Sequence, residues 1–258
     1  MMTPSQTIAK GPAIVTGAGG GLGRALARKL AQAGVPTAAL GRNLQDLQET
    51  AGDLPIMPML CDISKPDEVQ RAINGVASRL GTPRILINNA AVYPKRDLLA
   101  CSAQQFEATL RVNLGGVVTA SRAVLNHMAQ DGIGRIVNVA TFADISPLPM
   151  SAEYSVSKGA ARIYTRALIA DIADRFPDII VGDWMPGMLA TRMGIADGLD
   201  PETSAGWGAA LALWHDRSLT GTTFEMDREI LQGSVLKRRV KSLLTMRKPA
   251  KARVITPI

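Results

Sequence analysis

A tyrosine and a lysine lie four residues apart in the stretch SAEYSVSKGAARIYTRAL, which spans residues 151–168. This spacing places Tyr154 and Lys158 on the same face of a helix. A phenol has an ordinary pKa near 10 and exchanges protons poorly at neutral pH unless its anion is stabilised. An ammonium group about 4 Å away would lower that pKa by up to roughly three units. The pair is therefore a candidate proton donor and acceptor; the alternative is a surface tyrosine stacked on a lysine stem.

A second candidate feature is the glycine-rich stretch TGAGGGLG at residues 16–23, which joins an apolar run to a helical pattern. Gly17, Gly21 and Gly23 allow a tight turn and let the backbone approach a phosphate, while amides at the start of the following helix face negative charge. The stretch predicts a dinucleotide-binding loop, the alternative being a glycine-rich turn that holds no ligand.

The end of the second apolar run bears on which dinucleotide is bound. A carboxylate about twenty residues after the glycine loop would accept hydrogen bonds from the ribose of NAD. This sequence instead has Gly41 followed by Arg42, whose planar guanidinium is able to bind a 2′-phosphate. The arrangement favours NADP over NAD, unless Arg42 is an ordinary solvated arginine.

These residues need a scaffold that brings them together, and the apolar pattern predicts one. Segments of helical period alternate with seven strand-length apolar runs, at 13–17, 37–42, 56–60, 84–90, 134–141, 178–184 and 221–226. The alternation predicts an α/β fold, a single doubly wound Rossmann-type domain with a parallel seven-stranded sheet flanked by helices. Ligands bind such sheets at the carboxyl ends of the strands, where the glycine loop lies.

Composition limits the classes of function. The chain has 258 residues, 47% of them hydrophobic, and its only cysteines and histidines are Cys61, Cys101, His127 and His215. We expect one folded domain with reduced cysteines and no metal site. The sequence contains no uncharged run long enough to span a membrane and no apolar secretory core at its start, so we predict a cytoplasmic protein.

The basic charge of the chain is concentrated at one end. The net charge is +7, but residues 234–258 carry eight Lys or Arg and no acid, and the rest has 21 basic and 22 acidic residues. We therefore expect no nucleic-acid binding by the whole protein. Residues 1–233 are predicted to form the catalytic domain and residues 234–258 a basic tail. Its segment 235–247 has helical apolar spacing, which is typical of packing on the same subunit or a dimer mate, or of binding an anionic surface such as a membrane.

Six motifs in a fixed order make the sequence resemble the classical short-chain dehydrogenase/reductase family over about residues 10–227. They are TGAGGGLG at 16–23, Asp62 in CDIS, NNAA at 88–91, Asn113 in RVNLGG, YSVSK at 154–158 and PGMLAT at 186–191. The resemblance implies an NADP(H)-dependent oxidoreductase that interconverts a carbonyl and an alcohol.

The resemblance also implies a role for each catalytic residue. Tyr154 would protonate the carbonyl oxygen, Lys158 would hold the nicotinamide ribose and depress the tyrosine pKa, and Asn113 would position a water. Thr141 stands where the family has its catalytic serine, and its hydroxyl is able to bond a carbonyl oxygen; Ser146 is an alternative hydroxyl. The implied cofactor-binding residues are Gly17, Gly21, Leu22, Gly23, Arg42, Asp62, Asn89, Ala90, Tyr154, Lys158, Pro186, Gly187 and Thr191.

The substrate and the assembly are less narrowly predicted. Residues 188–207 would form a lid over an apolar substrate, although Met and Leu at helical spacing are also typical of a core. Candidate pocket residues are Met188, Leu189, Met193, Ile195, Tyr93, Phe142 and Met150. The family resemblance implies a homodimer or homotetramer, but Arg228 and Glu229 follow Asp227 where the family often has glycines used in subunit packing. The Thr141 substitution and this altered C-terminus leave open an inactive NADP-binding regulator or scaffold.

Overall fold

In a computed structural model of the chain, residue 8, residues 11–231 and residues 251–258 are described. Strands in these segments form one sheet: β1 (Ala13–Thr16), β2 (Thr37–Gly41), β3 (Ile56–Leu60), β4 (Ile85–Asn88), β5 (Ile133–Val139), β6 (Asp178–Met185), β7 (Thr223–Glu225) and β8 (Arg228–Ile230). Their order is β3-β2-β1-β4-β5-β6-β7-β8. The first seven strands in the chain pair in parallel, so the predicted doubly wound sheet is confirmed, with one strand more than expected.

The additional strand β8 runs antiparallel to β7, with Phe224 opposite Glu229. The two strands are joined by a two-residue loop, Met226 and Asp227. Two-residue hairpin loops require a positive φ, and Met226 has φ 49°. Such loops are usually marked by Gly or Asn, which this segment lacks, so the sequence pattern did not predict the hairpin.

Helices cover both faces of the sheet. They are α1 (Gly21–Gln32), α2 (Leu44–Ala51), α3 (Pro66–Leu80), α4 (Ala103–Leu110), α5 (Gly116–Met128), α6 (Ala152–Ile172) and α7 (Pro201–Leu213), with a π-helical turn, Arg111–Gly115, between α4 and α5. Helix α2 begins at an Asn43 side chain that accepts the amide of Gln45, and α7 begins at Asp200, which accepts the amide of Thr203.

Two hydrophobic cores hold the layers together. On one face Leu26 of α1 and Ala209 of α7 lie in the same core as Val15 of β1. On the other face Ile73 of α3 and Val124 of α5 share a core with other strand residues, among them Ile14 of β1. Successive residues of a strand point to opposite faces, which is why the neighbours Ile14 and Val15 enter different cores.

The sheet topology determines where a ligand is able to bind. Strand order runs outward in one direction from β1 to β3 and in the other from β4 to β7, so the order reverses between β1 and β4. A crevice forms at such a reversal, at the carboxyl ends of the strands. The loops that follow β1, β4, β5 and β6 all leave the sheet at this edge.

Residues 251–258 lie against the body of the domain. Val254 pairs with Arg228, the Ile255 amide donates to Asp227 O at 2.7 Å, and the Ile258 amide donates to Gly206 O in α7 at 3.4 Å. The predicted helix at 235–247 lies outside the described residues. Among the described segments, no helix is both long enough and apolar enough to cross a membrane.

Candidate active site

The glycine loop is fastened to the segment that follows β4. The Thr16 hydroxyl accepts the amides of Asn89 and Ala90, each at 3.0 Å. The Asn89 side chain donates in return to Thr16 O at 2.9 Å and Gly17 O at 3.3 Å. The structure therefore places the predicted cofactor residues of TGAGGGLG and NNAA side by side at the sheet reversal.

Two glycines of the loop are required by space and conformation. A Cβ at Gly23 would lie 2.2 Å from Gly17 O and 2.6 Å from Asn89 Nδ2. Gly17 has φ 65°, and a Cβ there would lie 2.8 Å from Ala90 Cα. The loop is a bare backbone surface leading into the N-terminus of α1, and it fits the pyrophosphate of a dinucleotide. Leu22 is buried in the core, so only its main chain is available to such a ligand.

Arg42 and Asp62, which are also predicted to contact the cofactor, lie along the same edge of the sheet. Arg42 follows β2 and is exposed, and Asp62 follows β3. Burial acts to raise the pKa of Asp62, but hydrogen bonds from Ser64 and the charge of Arg42 outweigh it and hold this pKa below its usual range. The charge of Arg42 thus acts on Asp62, while the Arg42 guanidinium remains accessible to solvent.

The PGMLAT segment closes the other side of the glycine loop. Pro186 follows β6, its carbonyl accepts the Ser204 hydroxyl at 2.9 Å, and Gly187 has φ 88°. A Cβ at Gly21 would lie 3.3 Å from Thr191 Cγ2, so Thr191 reaches over the loop. Residues 201–207, predicted as part of the lid, belong to α7, which leaves 188–200 as the irregular part.

Helix α6 presents Tyr154 and Lys158 to the crevice, as the spacing predicts. Lys158 is buried, and its ammonium donates to Val139 O at the end of β5 at 2.9 Å. The Thr141 side chain, two residues past the end of the same strand, lies close enough to the Tyr154 phenol to act on its pKa. Three of the four predicted catalytic side chains therefore meet at the end of β5. Ser146, the alternative hydroxyl, is exposed.

The predicted depression of the Tyr154 pKa by Lys158 is wrong for this structure. Burial raises the pKa of Tyr154, and the negative charge of Asp144 raises it further, while hydrogen bonding with Thr141 acts in the opposite direction. Burial lowers the pKa of Lys158 to about 8. The spacing predicted a shared helix face but not burial, which opposes ionisation of the phenol and of the lysine alike.

Asn113 lies in the π-helical turn and is fully buried. Its carboxamide accepts the Val92 amide at 2.8 Å and donates to Val92 O and to the Ser157 hydroxyl, each at 2.9 Å. The side chain ties the loop after β4 to α6, next to Lys158. Interruptions of this kind in an α-helix are frequent at functional sites.

Tyr93 lies directly on the candidate catalytic tyrosine. The rings of Tyr93 and Tyr154 are stacked with centroids 4.5 Å apart, and Lys95 Nζ lies 5.6 Å from the Tyr93 ring centroid. Met188, Met193 and Ile195 are 47%, 38% and 42% exposed, whereas Leu189 is buried in the core. Of these predicted pocket residues, three are therefore exposed, Tyr93 stacks on Tyr154, and Leu189 belongs to the core.

Backbone strain is concentrated around this crevice. Lys95, Met150 and Met226 have φ values of 49°, 61° and 49°, and within the described residues they are the non-glycine positions with positive φ. Lys95 follows β4, and Met150 precedes α6. Met226 follows β7, and a Cβ added at Gly187 would lie 3.2 Å from its Cγ. Strained positions of this kind cluster at ligand-binding sites.

Several buried charged and polar residues near the site were not predicted from the sequence. The Asn88 carboxamide donates to Asn138 Oδ1 at 2.8 Å, that of Asn138 donates to the Thr165 hydroxyl at 2.9 Å, and Thr165 donates to Asp183 Oδ1 at 2.7 Å. Burial raises the pKa of Asp183 to about 6. The sequence signals were polar residues in largely apolar strands, among them Asn88 in β4, Asn138 in β5 and Asp183 in β6.

Glu153, which precedes the candidate tyrosine, is also buried and was not predicted. It forms an ion pair with Arg96 at 3.3 Å and accepts the Thr109 hydroxyl at 3.1 Å. Both contacts tie α6 to the segments that follow β4. Elsewhere in the described part of the chain, no group of three metal-binding side chains is found.

This fold and site define an α/β protein with a dinucleotide-type crevice and, beside it, a half-buried tyrosine and a buried lysine. The family model described as short chain dehydrogenase matches residues 12–201. The chain therefore belongs to the short-chain dehydrogenase/reductase family and is an oxidoreductase of that class.

Individual relatives agree with the family. The chain is 33% identical over 184 residues to carbonyl reductase family member 4 of Danio rerio, which covers 70% of this chain and 76% of that protein. A gluconate 5-dehydrogenase from Burkholderia cenocepacia J2315 in complex with NADP and tartrate has a TM-score of 0.75 at 28% identity, over 83% of this chain and 92% of its own. An actinorhodin polyketide ketoreductase variant with NADPH has a TM-score of 0.77 at 23% identity, over 87% and 97%, and supports the fold alone.

Proposed function

We propose that the protein is an NADP(H)-dependent oxidoreductase that interconverts a carbonyl and an alcohol. The observation that carries this proposal is the approach of the Thr141 side chain to the Tyr154 phenol, beside the buried ammonium of Lys158. Two hydroxyls that meet at one point are able to bind one carbonyl oxygen together. The glycine loop lies at the same edge of the sheet, so the cofactor and the carbonyl would share one crevice.

The preference for NADP(H) rests on Arg42 and on the relatives. The chain has Arg42 after β2 where NAD-binding folds usually have a carboxylate, and its guanidinium is free to meet a 2′-phosphate. The gluconate 5-dehydrogenase neighbour was solved with NADP. The cofactor contacts would come from the loop main chain of Gly17, Gly21, Leu22 and Gly23, from Asp62, Asn89, Ala90, Pro186, Gly187 and Thr191, and from Tyr154 and Lys158.

The chain's own residues would transfer the proton to the carbonyl oxygen. A bound nicotinamide supplies the hydride in reduction and accepts it in oxidation. In reduction Tyr154 gives its phenolic proton to the carbonyl oxygen while the Thr141 hydroxyl donates a hydrogen bond to the same oxygen. The phenol carries its proton at neutral pH, as reduction requires, and its raised pKa makes it a weaker acid than an ordinary tyrosine.

Lys158 and Asn113 would support that transfer. Lys158, still largely charged at neutral pH with a pKa of about 8, would hold the nicotinamide ribose. Asn113 would position the loop after β4 and a water of the proton relay. Because its carboxamide is already bonded to Val92 and Ser157, we assign the water to its main-chain carbonyl.

The substrate and assembly proposals rest on exposed apolar side chains. Met188, Met193 and Ile195 would cover an apolar substrate over the crevice. On α6, Val156 and Ile163 lie seven residues apart and are 52% and 60% exposed, which supports a homo-oligomer formed through this helix face. A cytoplasmic location stays a prediction, and membrane association of the basic tail stays an alternative to its packing on the same subunit or a dimer mate.

The test is oxidation of NADPH and NADH against aldehydes, simple ketones, β-ketoacyl thioesters, quinones and sugars, with Tyr154→Phe in parallel. We expect turnover with NADPH that is lost in the variant, because phenylalanine keeps the ring and removes the proton. NADPH binding without turnover on any carbonyl would contradict the proposal and favour a regulator that only binds the cofactor.

A further inference from the structure

A buried ion pair lies directly behind Thr141. Arg162 Nε is 2.7 Å from Asp144 Oδ2, and a terminal nitrogen of the same guanidinium donates to Asp144 Oδ1 at 3.1 Å. The two side chains are 15% and 6% exposed, so the pair is shielded from solvent. One hydrogen bond and one close charge contact to the same carboxylate hold the guanidinium against Asp144.

The guanidinium also holds the main chain of the candidate catalytic hydroxyl. The same terminal nitrogen of Arg162 donates to Thr141 O at 2.8 Å and lies 3.4 Å from Met185 Sδ. Arg162 follows Tyr154 by eight residues and Lys158 by four in α6, so all three project from one face of the helix. One side chain therefore joins the helix of Tyr154 to the loop that carries Thr141 and to the end of β6.

We propose that Arg162, paired with Asp144, is a positioning residue that sets the place of Thr141 and balances the charge around Tyr154. The inference rests on the function proposed above and adds to it two residues that contact neither the substrate nor the cofactor. Without the pair, the loop after β5 would lose the fixed connection that brings its hydroxyl to the phenol.

Electrostatics gives the pair a second effect. The negative charge of Asp144 raises the pKa of both Tyr154 and Lys158, although burial is the larger influence on each. Burial raises the pKa of Asp144 itself, and Arg162 opposes this shift. The other charged or titratable groups facing the pair and the two catalytic groups are Arg166 on α6, Asp183 on β6 and Tyr93 in the loop after β4.

Neutralising each partner in turn tests the charge balance. Arg162→Met leaves the Asp144 charge unopposed, so we expect the pKa of Tyr154 to rise by about one pH unit. Asp144→Asn leaves the Arg162 charge unopposed, and we expect the pKa to fall by a similar amount. The double variant should return it close to the wild-type value. Ultraviolet absorbance of tyrosinate against pH, with Tyr154→Phe as the blank, measures this pKa without any turnover.

A conservative variant separates charge from geometry. Arg162→Lys keeps the positive charge but not the planar group that bonds Asp144 and Thr141 O together. We expect a Tyr154 pKa near that of the wild type, a kcat about tenfold lower, and unchanged affinity for NADPH. The matched control is the surface pair of Arg217 and Asp178, also 2.7 Å apart, in which Arg217→Met and Asp178→Asn should leave the Tyr154 pKa unchanged.

Two results would overturn the inference. Shifts of the same sign in both single variants would show general loss of packing, and the absence of a shift in either would show that the pair does not act on Tyr154. If the wild type reduces no carbonyl, the proposed function fails, while the tyrosinate titration still reports whether the pair controls the phenol.

Discussion

The phenol ring of Tyr93 lies against that of Tyr154, with centroids 4.5 Å apart and planes 21° from parallel. The contact places a residue of the loop after β4 on the face of the candidate proton donor. Arg96, three residues further along the loop, forms an ion pair with the buried Glu153, which precedes Tyr154. This pair therefore links the loop that carries Tyr93 to the helix that carries Tyr154. Tyr93 thus limits the directions in which the Tyr154 ring is able to move.

This stack predicts different results for two substitutions of Tyr93. Tyr93→Phe keeps the aromatic contact, so kcat/KM should remain within about twofold of the wild type. Tyr93→Ala removes a contact of about 0.5–1.5 kcal/mol, and we expect kcat/KM to fall by roughly 2–13-fold. Steady-state kinetics with one carbonyl substrate measures both. Equal losses in the two variants would instead point to the Tyr93 hydroxyl.

The contact of Thr141 with Tyr154 predicts that the threonine hydroxyl acts in turnover. Thr141→Val keeps the branched shape and removes the hydroxyl, so we expect kcat to fall by about 10²–10³-fold, as when one hydrogen-bond donor to the reacting oxygen is lost. Thr141→Ser keeps the hydroxyl and should retain most of the activity. NADPH affinity, measured by fluorescence titration, should be unchanged in both, and wild-type turnover in Thr141→Val would refute the assigned role.

The buried Lys158 predicts how reduction depends on pH. Its pKa is lowered to about 8, so its charge is present below this pH and is lost as the pH rises through it. Tyr154, with its raised pKa, remains protonated over the same range. We expect kcat for reduction, at saturating NADPH, to decrease as the pH rises through about 8.

A variant of the buried Asp183 tests whether the loss of charge on Lys158 causes that decrease in kcat. The negative charge of Asp183 favours the ammonium of Lys158, so Asp183→Asn should move the decrease to lower pH. Asparagine keeps an acceptor for the Thr165 hydroxyl, which limits structural damage. A profile that coincides with that of the wild type would mean that Lys158 does not set the alkaline limit.

Two glycines of the cofactor loop, Gly20 and Gly23, should respond differently to substitution by alanine. The Cβ of Gly23→Ala would lie 2.2 Å from Gly17 O, so the loop must shift and NADPH affinity should fall at least about tenfold. Gly20 has φ −173°, an extended conformation, and no heavy atom of the described residues lies within 4 Å of its added Cβ. Gly20→Ala should bind NADPH like the wild type, and similar losses in both would show that the loop tolerates no side chain anywhere.

Arg42 predicts the selectivity between the two cofactors. Arg42→Glu places a negative charge where a 2′-phosphate would lie, and we expect NADPH affinity to fall by at least about tenfold while NADH affinity changes little. Arg79→Glu makes the same change of charge near the end of α3 and serves as the control. Equal losses for NADPH and NADH in Arg42→Glu would mean that the guanidinium does not contact the phosphate.

The sequence alone was sufficient to predict the sheet and most of the candidate site. Apolar runs of strand length, separated by segments of helical period, determine a doubly wound sheet because each buried face must be covered. The glycine loop, NNAA and PGMLAT each follow a strand, so strand direction alone brings them to one edge. The four-residue spacing likewise placed Tyr154 and Lys158 on one face of α6.

Only the tertiary structure decided the environment of those residues. The ion pair of Arg162 and Asp144 joins positions 18 residues apart, and Thr165 meets Asp183 across the same interval in the chain. The stack of Tyr93 on Tyr154 depends on the path of the loop after β4, which has a positive φ at Lys95. Burial then reversed the predicted direction of the Tyr154 pKa, because desolvation depends on every neighbour packed around a group and not on local spacing.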